Sequence, residues 1–334
     1  MKKEYPAQAP TPWERLVGML YVERTTINYI LLYAILIGLL GLTLPLGTTA
    51  VFNFLSNGVL YSSTYILIGI VLLGIAVGGL LLIGQLTLVE LVEQKIFARA
   101  TVEFAYRFPR IKKQELSGEY PPELVNRFFD VLTIQKGLTK LLVDVVASAV
   151  QISFTAILLS FYHPVYIVFG ILTVLVIFLM LSLFYKSGVS TSIEESAYKY
   201  EVVAYLEKVA ENLDDYRNRK DQLDKVLSDT DRITAKYLRA RNDHFKILRK
   251  FYASSVVLRT LLMGGLLLVG SYYVIERQMT LGQFVAAEVI IVQISYAVEK
   301  FMTSLSTIFD MVTGSEKIAA VTDLQLEESE VENG

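Results

Sequence analysis

Residues 25–89 read TTINYILLYAILIGLLGLTLPLGTTAVFNFLSNGVLYSSTYILIGIVLLGIAVGGLLLIGQLTLV and contain no Asp, Glu, Lys or Arg. An α-helix rises about 1.5 Å per residue, so about 20 apolar residues cross the hydrocarbon core of a bilayer. This stretch is long enough to cross twice, and the turn-forming residues at 53–58 interrupt it near its middle. The sequence therefore predicts a transmembrane hairpin here.

The composition of the whole chain agrees with a membrane protein. Hydrophobic residues make up 53% of the 334 residues, which is typical of a polytopic membrane protein and not of a soluble domain. The chain has no cysteine, which excludes disulfides and thiolate metal sites. Its two histidines, His163 and His244, are far apart in sequence, so we expect no metal site within one chain.

Six stretches are long and apolar enough to span a bilayer. Their approximate bounds are residues 27–54, 61–89, 141–162, 165–185, 253–275 and 281–298. The connections after the first, third and fifth stretches are short and contain one basic residue, Arg277, whereas most other Lys and Arg residues lie in the termini and in two long charged segments. By the positive-inside rule, we expect a multi-pass protein of the cell (inner) membrane with both termini cytoplasmic.

The predicted spans and the charge pattern indicate an all-α polytopic membrane protein and divide the chain into three parts. Residues 1–24 form a cytoplasmic segment, in which PWERL at 12–16 begins a short interfacial helix with Trp13 and Tyr21 at the headgroups. Residues 25–315 form the six-span domain, and residues 316–334 form an acidic tail.

The two charged segments, about 90–140 and 186–250, are predicted to be cytoplasmic arms. Each carries apolar residues at helical spacing and is long enough for two antiparallel helices that project about 30–40 Å from the membrane. The first arm breaks at Ser117, Gly118, Pro121 and Pro122, and the second is most polar at 211–224, which predicts a tip in each. Two such arms either pack on each other or bind a cytoplasmic partner.

Several short motifs follow one another along the chain. They are PWERL at 12–16, LPLG at 44–47, LSGE at 116–119, VNRF at 125–128, MTLGQFVA at 279–286 and SEKI at 315–318. Each motif is weak alone. Together, in this order, they resemble the transmembrane domain of ABC exporters of the six-helix, long-intracellular-loop type, a family with multidrug, lipid and toxin-secretion exporters.

The resemblance implies an alternating-access pathway formed with a second copy of the chain or a related half. The driving force would come from cytoplasmic ATPase domains or subunits that bind ATP and Mg, and the exported substrate is unidentified. Membrane lipids are the other expected partners, and no nucleic acid is expected.

The chain also departs from the family pattern. The proline often found midway along the sixth span is missing, Lys317 replaces the usual arginine, and the sequence ends at Gly334, where the family begins its ATPase domain. A P-loop needs glycines followed by a lysine, and no Gly-Lys dipeptide occurs here. We therefore expect this chain alone not to be an enzyme, with no catalytic residue and no cofactor of its own.

The resemblance also implies which residues couple the arms to an ATPase. These residues are Glu119, Pro122, Glu123 and Asn126 at the first tip and Asp214, Asp215, Tyr216 and Arg217 at the second.

Glu288 is the one acidic residue in the middle of a predicted span, where a carboxylate needs water or a partner. On a 3.6-residue period it aligns with Ser295, Glu299, Ser306 and Asp310. Glu288, Ser295 and Glu299 are therefore the predicted lining of a translocation pathway.

An intramembrane pair between Glu288 and Arg259 is the alternative, although the two differ in depth by roughly 10–15 Å at 1.5 Å per residue. Glu288 belongs to a pathway only if it faces the cavity, and not if it is paired with Arg259.

Two other functions compete with transport. A membrane sensor or scaffold with a helical signalling bundle needs a phosphoacceptor His or methylation-type Glu pairs in long heptads. His244, in NDHFK, lacks such a signature, and both arms return to the membrane. An intramembrane enzyme needs paired catalytic groups, and a lone Glu288 supplies none.

Overall fold

A computed structural model describes residues 10–56, 62–116, 121–216 and 220–327, and these residues are almost entirely helical. The predicted all-α class is confirmed. The only β-type pairing in the described ranges is a single antiparallel bridge between Ile111 and Leu326.

Twelve α-helices lie within the described residues. They are α1 (Pro12–Tyr21), α2 (Arg24–Gly41), α3 (Thr43–Ser56), α4 (Ser62–Arg107), α5 (Pro121–Asn126), α6 (Phe129–Thr139), α7 (Val146–Tyr162), α8 (Ile167–Glu211), α9 (Leu213–Tyr216), α10 (Lys220–Gly265), α11 (Ser271–Ile275) and α12 (Leu281–Thr322). Two π-helical segments, Lys140–Val145 and Leu266–Gly270, join α6 to α7 and α10 to α11.

Six helical segments are long and apolar enough to cross a membrane, as predicted. Their bounds are Arg24–Leu55, Ser62–Arg110, Glu123–Tyr162, Pro164–Glu211, Lys220–Ile275 and Leu281–Thr322. Helices α4, α8, α10 and α12 contain 46, 45, 46 and 42 residues, which corresponds to about 63–69 Å at 1.5 Å per residue. Because a hydrocarbon core is about 30 Å thick, each of these helices reaches far beyond one side of the bilayer.

The two ends of the helix bundle differ in their connections. At one end, here called the hairpin end, α7 meets α8 and α11 meets α12 through short turns, and Thr49 Oγ1 lies 2.9 Å from Tyr162 OH. At the other end, here called the arm end, the long helices continue into α5, α6 and α9. The predicted arms correspond to α4–α6 and α8–α10.

The first span is interrupted where α2 passes into α3. Pro45 lacks an N–H, and its ring crowds the carbonyl four residues earlier, at Gly41. Helix α2 ends at that glycine, and the Thr43 hydroxyl donates to the Leu40 carbonyl over 2.7 Å. The LPLG motif therefore accounts for a one-residue break in the helix of the first span.

Helix α12 is the central helix of the fold. It packs against α1, α3, α6, α7, α8 and α10. One apolar core surrounds it together with α7, α8 and α10, and a second core joins it to α1, α4 and α6. Movement of α12 would therefore disturb both cores.

Candidate functional site

Helix α1 is attached to the arm-end part of α12. Its N-terminus has a capping box, in which Thr11 Oγ1 accepts from the Glu14 N–H and Glu14 accepts from the Thr11 N–H. Ser315 Oγ donates to the Pro12 carbonyl over 2.8 Å, and Arg15 Nη1 lies 2.7 Å from Asp323 Oδ2. The opposite face presents Trp13 and other exposed apolar residues, as expected of an interfacial helix.

The first arm tip is partly described. Glu119 lies outside the described residues, and Pro122 is described only as part of the backbone of α5. Glu123 Oε1 lies 3.2 Å from Arg127 Nη2, an i,i+4 pair. Asn126 Nδ2 donates to Glu207 Oε1, which lies near the end of α8. Asn126 therefore ties the first arm to the second instead of projecting freely.

The second arm tip is the four-residue helix α9 between α8 and α10. Asp214 and Asp215 are exposed and Tyr216 is half-buried, whereas Arg217 lies outside the described residues. Leu213 at the start of α9 is also exposed. The tip thus presents acidic and apolar groups together, which is the mixture that protein interfaces use.

A buried hydrogen bond connects the first arm with α8 below the tips. The Tyr200 hydroxyl donates to Asp130 Oδ2, and both residues are buried. The Arg127 guanidinium stacks over the Tyr200 ring at 4.0 Å. Together with the bond between Asn126 and Glu207, these contacts fix α5 and α6 against α8. This network could not be predicted from the sequence, because the residues that it joins are 70 or more positions apart.

The exposed face of α12 differs from the predicted polar stripe at one residue. Glu288 and Glu299 are exposed, but Ser295 is 5% exposed and its hydroxyl has no hydrogen-bond partner among the described residues. The members of the exposed face are Glu288, Val292, Tyr296, Glu299, Thr303 and Asp310.

A small difference in angle around the helix axis explains why Ser295 is buried and not exposed as predicted. At 100° per residue, Glu299 and Asp310 lie about 20–40° to one side of Glu288, whereas Ser295 lies about 20° to the other. The exposed face is therefore centred on Val292 and Asp310, and Ser295 turns into the bundle. Ser306, on the predicted stripe, is half-buried.

The alternative pair between Arg259 and Glu288 is not formed. Arg259 Nη1 lies 3.7 Å from Glu299 Oε2, and Glu288 has no ion pair among the described residues. Glu299 is nearer in depth to Arg259, which accounts for the choice of partner. Both paired side chains are more than half exposed, so the pair adds little stability.

An open groove of about 590 Å³ lies beside this pair, between α10 and α12. It is lined by Ser255, Val256, Arg259, Thr260, Met263, Gly264 and Glu299. No local sequence pattern indicates this groove, because it depends on how α10 and α12 meet in space. The groove continues the exposed face of α12 and combines apolar walls with one ion pair.

His244 is buried, with 1% of its surface exposed. Its Nδ1 lies 2.9 Å from Thr191 Oγ1, and its ring meets the Phe309 ring edge-on at 5.9 Å. A phosphoacceptor histidine must reach solvent and a kinase. In this structure His244 packs between α8, α10 and α12.

A search against known protein families and against curated proteins found no match to this chain.

Proposed function

We propose that this chain is the membrane-spanning half of an ATP-driven exporter of the ABC type. The observation that carries the proposal is the pair of short helices at the arm end: α5 and α9 lie where α4 and α8, each about 65–70 Å long, have left the membrane. In this arrangement the arm end is cytoplasmic, and α5 and α9 receive the ATPase partner.

The arms are suited to transmit force. Helices α4, α8 and α10 run unbroken from the arms into their spans, so displacement of these arm helices reaches the membrane directly. The Asn126–Glu207 and Tyr200–Asp130 hydrogen bonds make the first tip move with α8. ATP-driven closure of two ATPase domains would then pull both arms at once and change the access of the pathway.

The pathway wall in this proposal is the exposed face of α12 with the adjoining groove. Glu288 and Glu299 are charged groups at or near membrane depth, where a carboxylate facing lipid is unfavourable by about 2.5–3.5 kcal/mol on insertion scales. A water-filled cavity enclosed with a second copy avoids that cost. Val292 and Tyr296 between the carboxylates supply apolar contact for a substrate.

A second copy also accounts for an apolar strip on the arm half of α10. The strip consists of Leu223, Leu227, Leu238 and Phe245, which share one helix face and are each about half exposed. These positions lie beyond the predicted fifth span, where lipid does not cover them. Exposed apolar side chains that recur along one helix face are suited to contact with another protein chain.

Site-specific photocrosslinking tests the proposal. A photoreactive residue replaces Asp215 in α9, and a matched one replaces Asn242, an exposed position on α10 away from the tip. In native membranes we expect the Asp215 probe, and not the Asn242 probe, to capture a protein with a nucleotide-binding P-loop, identified by mass spectrometry. Capture of no P-loop protein at Asp215, or equal capture at both positions, would contradict the proposal.

A further inference from the structure

A polar cavity of about 200 Å³ lies inside the arm end, where α6, α8, α10 and α12 converge. Every residue that lines it is polar or charged, including Thr133, Ser192, Glu195, Arg241 and Asp310. It is separate from the groove beside Arg259 and from both arm tips. Because one water takes up about 30 Å³ in the liquid, the cavity has room for several waters.

The carboxylates around the cavity are not all paired with cations of the described residues. Glu195 Oε1 lies 2.8 Å from Arg241 Nη1, and Asp130 Oδ1 lies 3.9 Å from Lys199 Nζ. Asp310 is the third carboxylate, and it has no ion pair among the described residues. Arg127 and Lys317 add positive charge beside Asp130, so Asp310 is the lining carboxylate that no described cation contacts.

One hydroxyl in the wall also lacks a partner. Ser196 is 7% exposed, and its Oγ makes no hydrogen bond within the described structure. The neighbouring Ser192 Oγ, by contrast, accepts from Thr313 Oγ1 over 2.8 Å. A buried hydroxyl without a partner loses about 1–3 kcal/mol, so the cavity is completed by something that is hydrogen-bonded to Ser196.

We propose that this cavity is a proton-binding site in which the Asp310 carboxylate takes up one proton from water. The bound proton neutralises the unpaired Asp310 carboxylate and turns it into a hydrogen-bond donor in a cavity rich in hydroxyl and carboxylate acceptors. Uptake therefore tightens the contact of α12 with α8, and release loosens it through repulsion between Asp310 and Glu195.

The surroundings of Asp310 agree with uptake near neutral pH. Partial burial of its carboxyl group where four helices converge, with a further contribution from Glu195 on α8 and a small one from Asp130 on α6, raises the pKa of Asp310 to about 6, against the opposing Arg241 on α10 and Lys199 on α8. Asp310 lies about 18 Å beyond residue 298, the predicted end of the sixth span, at 1.5 Å per residue. The residue is open to solvent on its outer side, which gives protons access.

The ligand is a proton and not a divalent metal ion on geometric grounds. Among the described residues, no group of three or more His, Cys, Asp or Glu side chains is arranged to hold a metal ion. The three carboxylates therefore do not converge on one point. Two of them are already directed at cations.

The sign of the pH dependence follows from the raised pKa. The folded chain holds the proton more tightly than the unfolded chain, whose Asp310 has the ordinary value of 3.8. The stabilisation is fully present below about pH 4, is lost as pH rises through about 6, and stays absent above that.

Thermal unfolding of the purified full chain in detergent, measured from about pH 4.5 to pH 7.5, tests the proposal. Asp310→Asn keeps the size of the side chain and removes the titration. We expect this variant to unfold a few degrees higher than wild type at pH 7.5 and to converge with it at pH 4.5. Glu194→Gln, at an exposed neighbouring position on α8, is the matched control and should keep the wild-type profile.

Infrared difference spectra between the same two pH values provide a second readout. The ordinary acidic side chains also gain protons in this range, so the variant's difference spectrum is subtracted from that of wild type, and we expect one carboxyl carbonyl component with a midpoint near pH 6 to remain. An unchanged pH profile in the variant, or identical difference spectra for the two proteins, would overturn the proposal. Stabilisation of wild type, but not Asp310→Asn, by sodium or potassium over choline chloride would also overturn it, in favour of a monovalent cation site.

Discussion

Helices α4 and α12 have similar lengths and opposite surroundings. Almost none of the most apolar part of α4 is buried, whereas half of the corresponding part of α12 is buried, although α4 is the more apolar helix. Leu80 and Ile83 of α4 are both more than 60% exposed. In a soluble protein the more apolar helix, α4, would be the more buried of the two, because burial would follow hydrophobicity. The bilayer removes that driving force, so apolar residues gain nothing by turning inward.

Small residues line the packing surface of α12. At membrane depth α12 carries Gly282, Ala286, Ala287 and Ala297, all of them buried. Without a hydrophobic driving force between helices, close backbone approach and tight packing stabilise the bundle. Helix α12 allows this approach on most of its surface, and the remaining narrow face contains Glu288 and Glu299.

The largest expected effect concerns packing around α12. Phe309 is fully buried, with ring centroids 5.9 Å from Tyr185 and 6.2 Å from Phe251. Phe309→Ala leaves a cavity at this junction and should lower the free energy of unfolding by about 3–5 kcal/mol. Denaturation of the purified chain in mixed micelles measures the loss.

The matched control is Phe178→Ala on α8, where the side chain is 65% exposed. It removes the same group from an outward face and should cost less than about 1 kcal/mol. Equal losses for the two variants would mean that outward and inward faces are stabilised alike, and the contrast between α4 and α12 would disappear.

A second prediction concerns how α4 is held near the arm end. Glu23, just before α2, is 8% exposed and binds Lys95 Nζ at 3.0 Å and Arg99 Nη2 at 2.9 Å, both on α4. Because the two cations are half exposed, we expect Glu23→Gln to cost about 1–2 kcal/mol of unfolding free energy at neutral pH.

The pH dependence separates this loss from a packing effect. The hydrogen bond from Lys95, aided by Arg99, holds the pKa of Glu23 below its usual 4.5. The stabilisation is present above that value and is lost as pH falls below it, so wild type and Glu23→Gln should converge in acid. Glu90→Gln, at an exposed position of α4, should show no such convergence. A Glu23→Gln difference that is constant with pH would argue against the ion pairs.

Sequence reasoning identified what depends on local pattern. The six apolar helices follow from runs of uncharged residues, a signal that lies within each helix. The short helix α1 is equally local, since PWERL at 12–16 is one run of neighbours, but its capping box with Thr11 was not predicted.

Contacts between distant helices could not be predicted in the same way. The bonds from Asn126 to Glu207 and from Tyr200 to Asp130 depend on how α5, α6 and α8 meet in space. Ser295 was placed on the exposed face because a 3.6-residue period locates a face only to within tens of degrees, which at its edge decides between buried and exposed. The partner of Arg259 likewise depends on relative helix depth.

The smallest expected effect tests what covers α4. A methyl group added at Gly79 would meet no other atom of the chain within 4 Å, whereas one added at Gly188 of α8 would overlap the Phe309 ring. Gly79→Ala should therefore raise the free energy of unfolding by about 0.5 kcal/mol, because alanine favours the helix over glycine, while Gly188→Ala should lower it by about 1–3 kcal/mol. Both are measured by denaturation of the purified chain. A loss at Gly79 would show that another protein chain, and not lipid, covers this face of α4, so the low burial of α4 would be a property of the single chain alone.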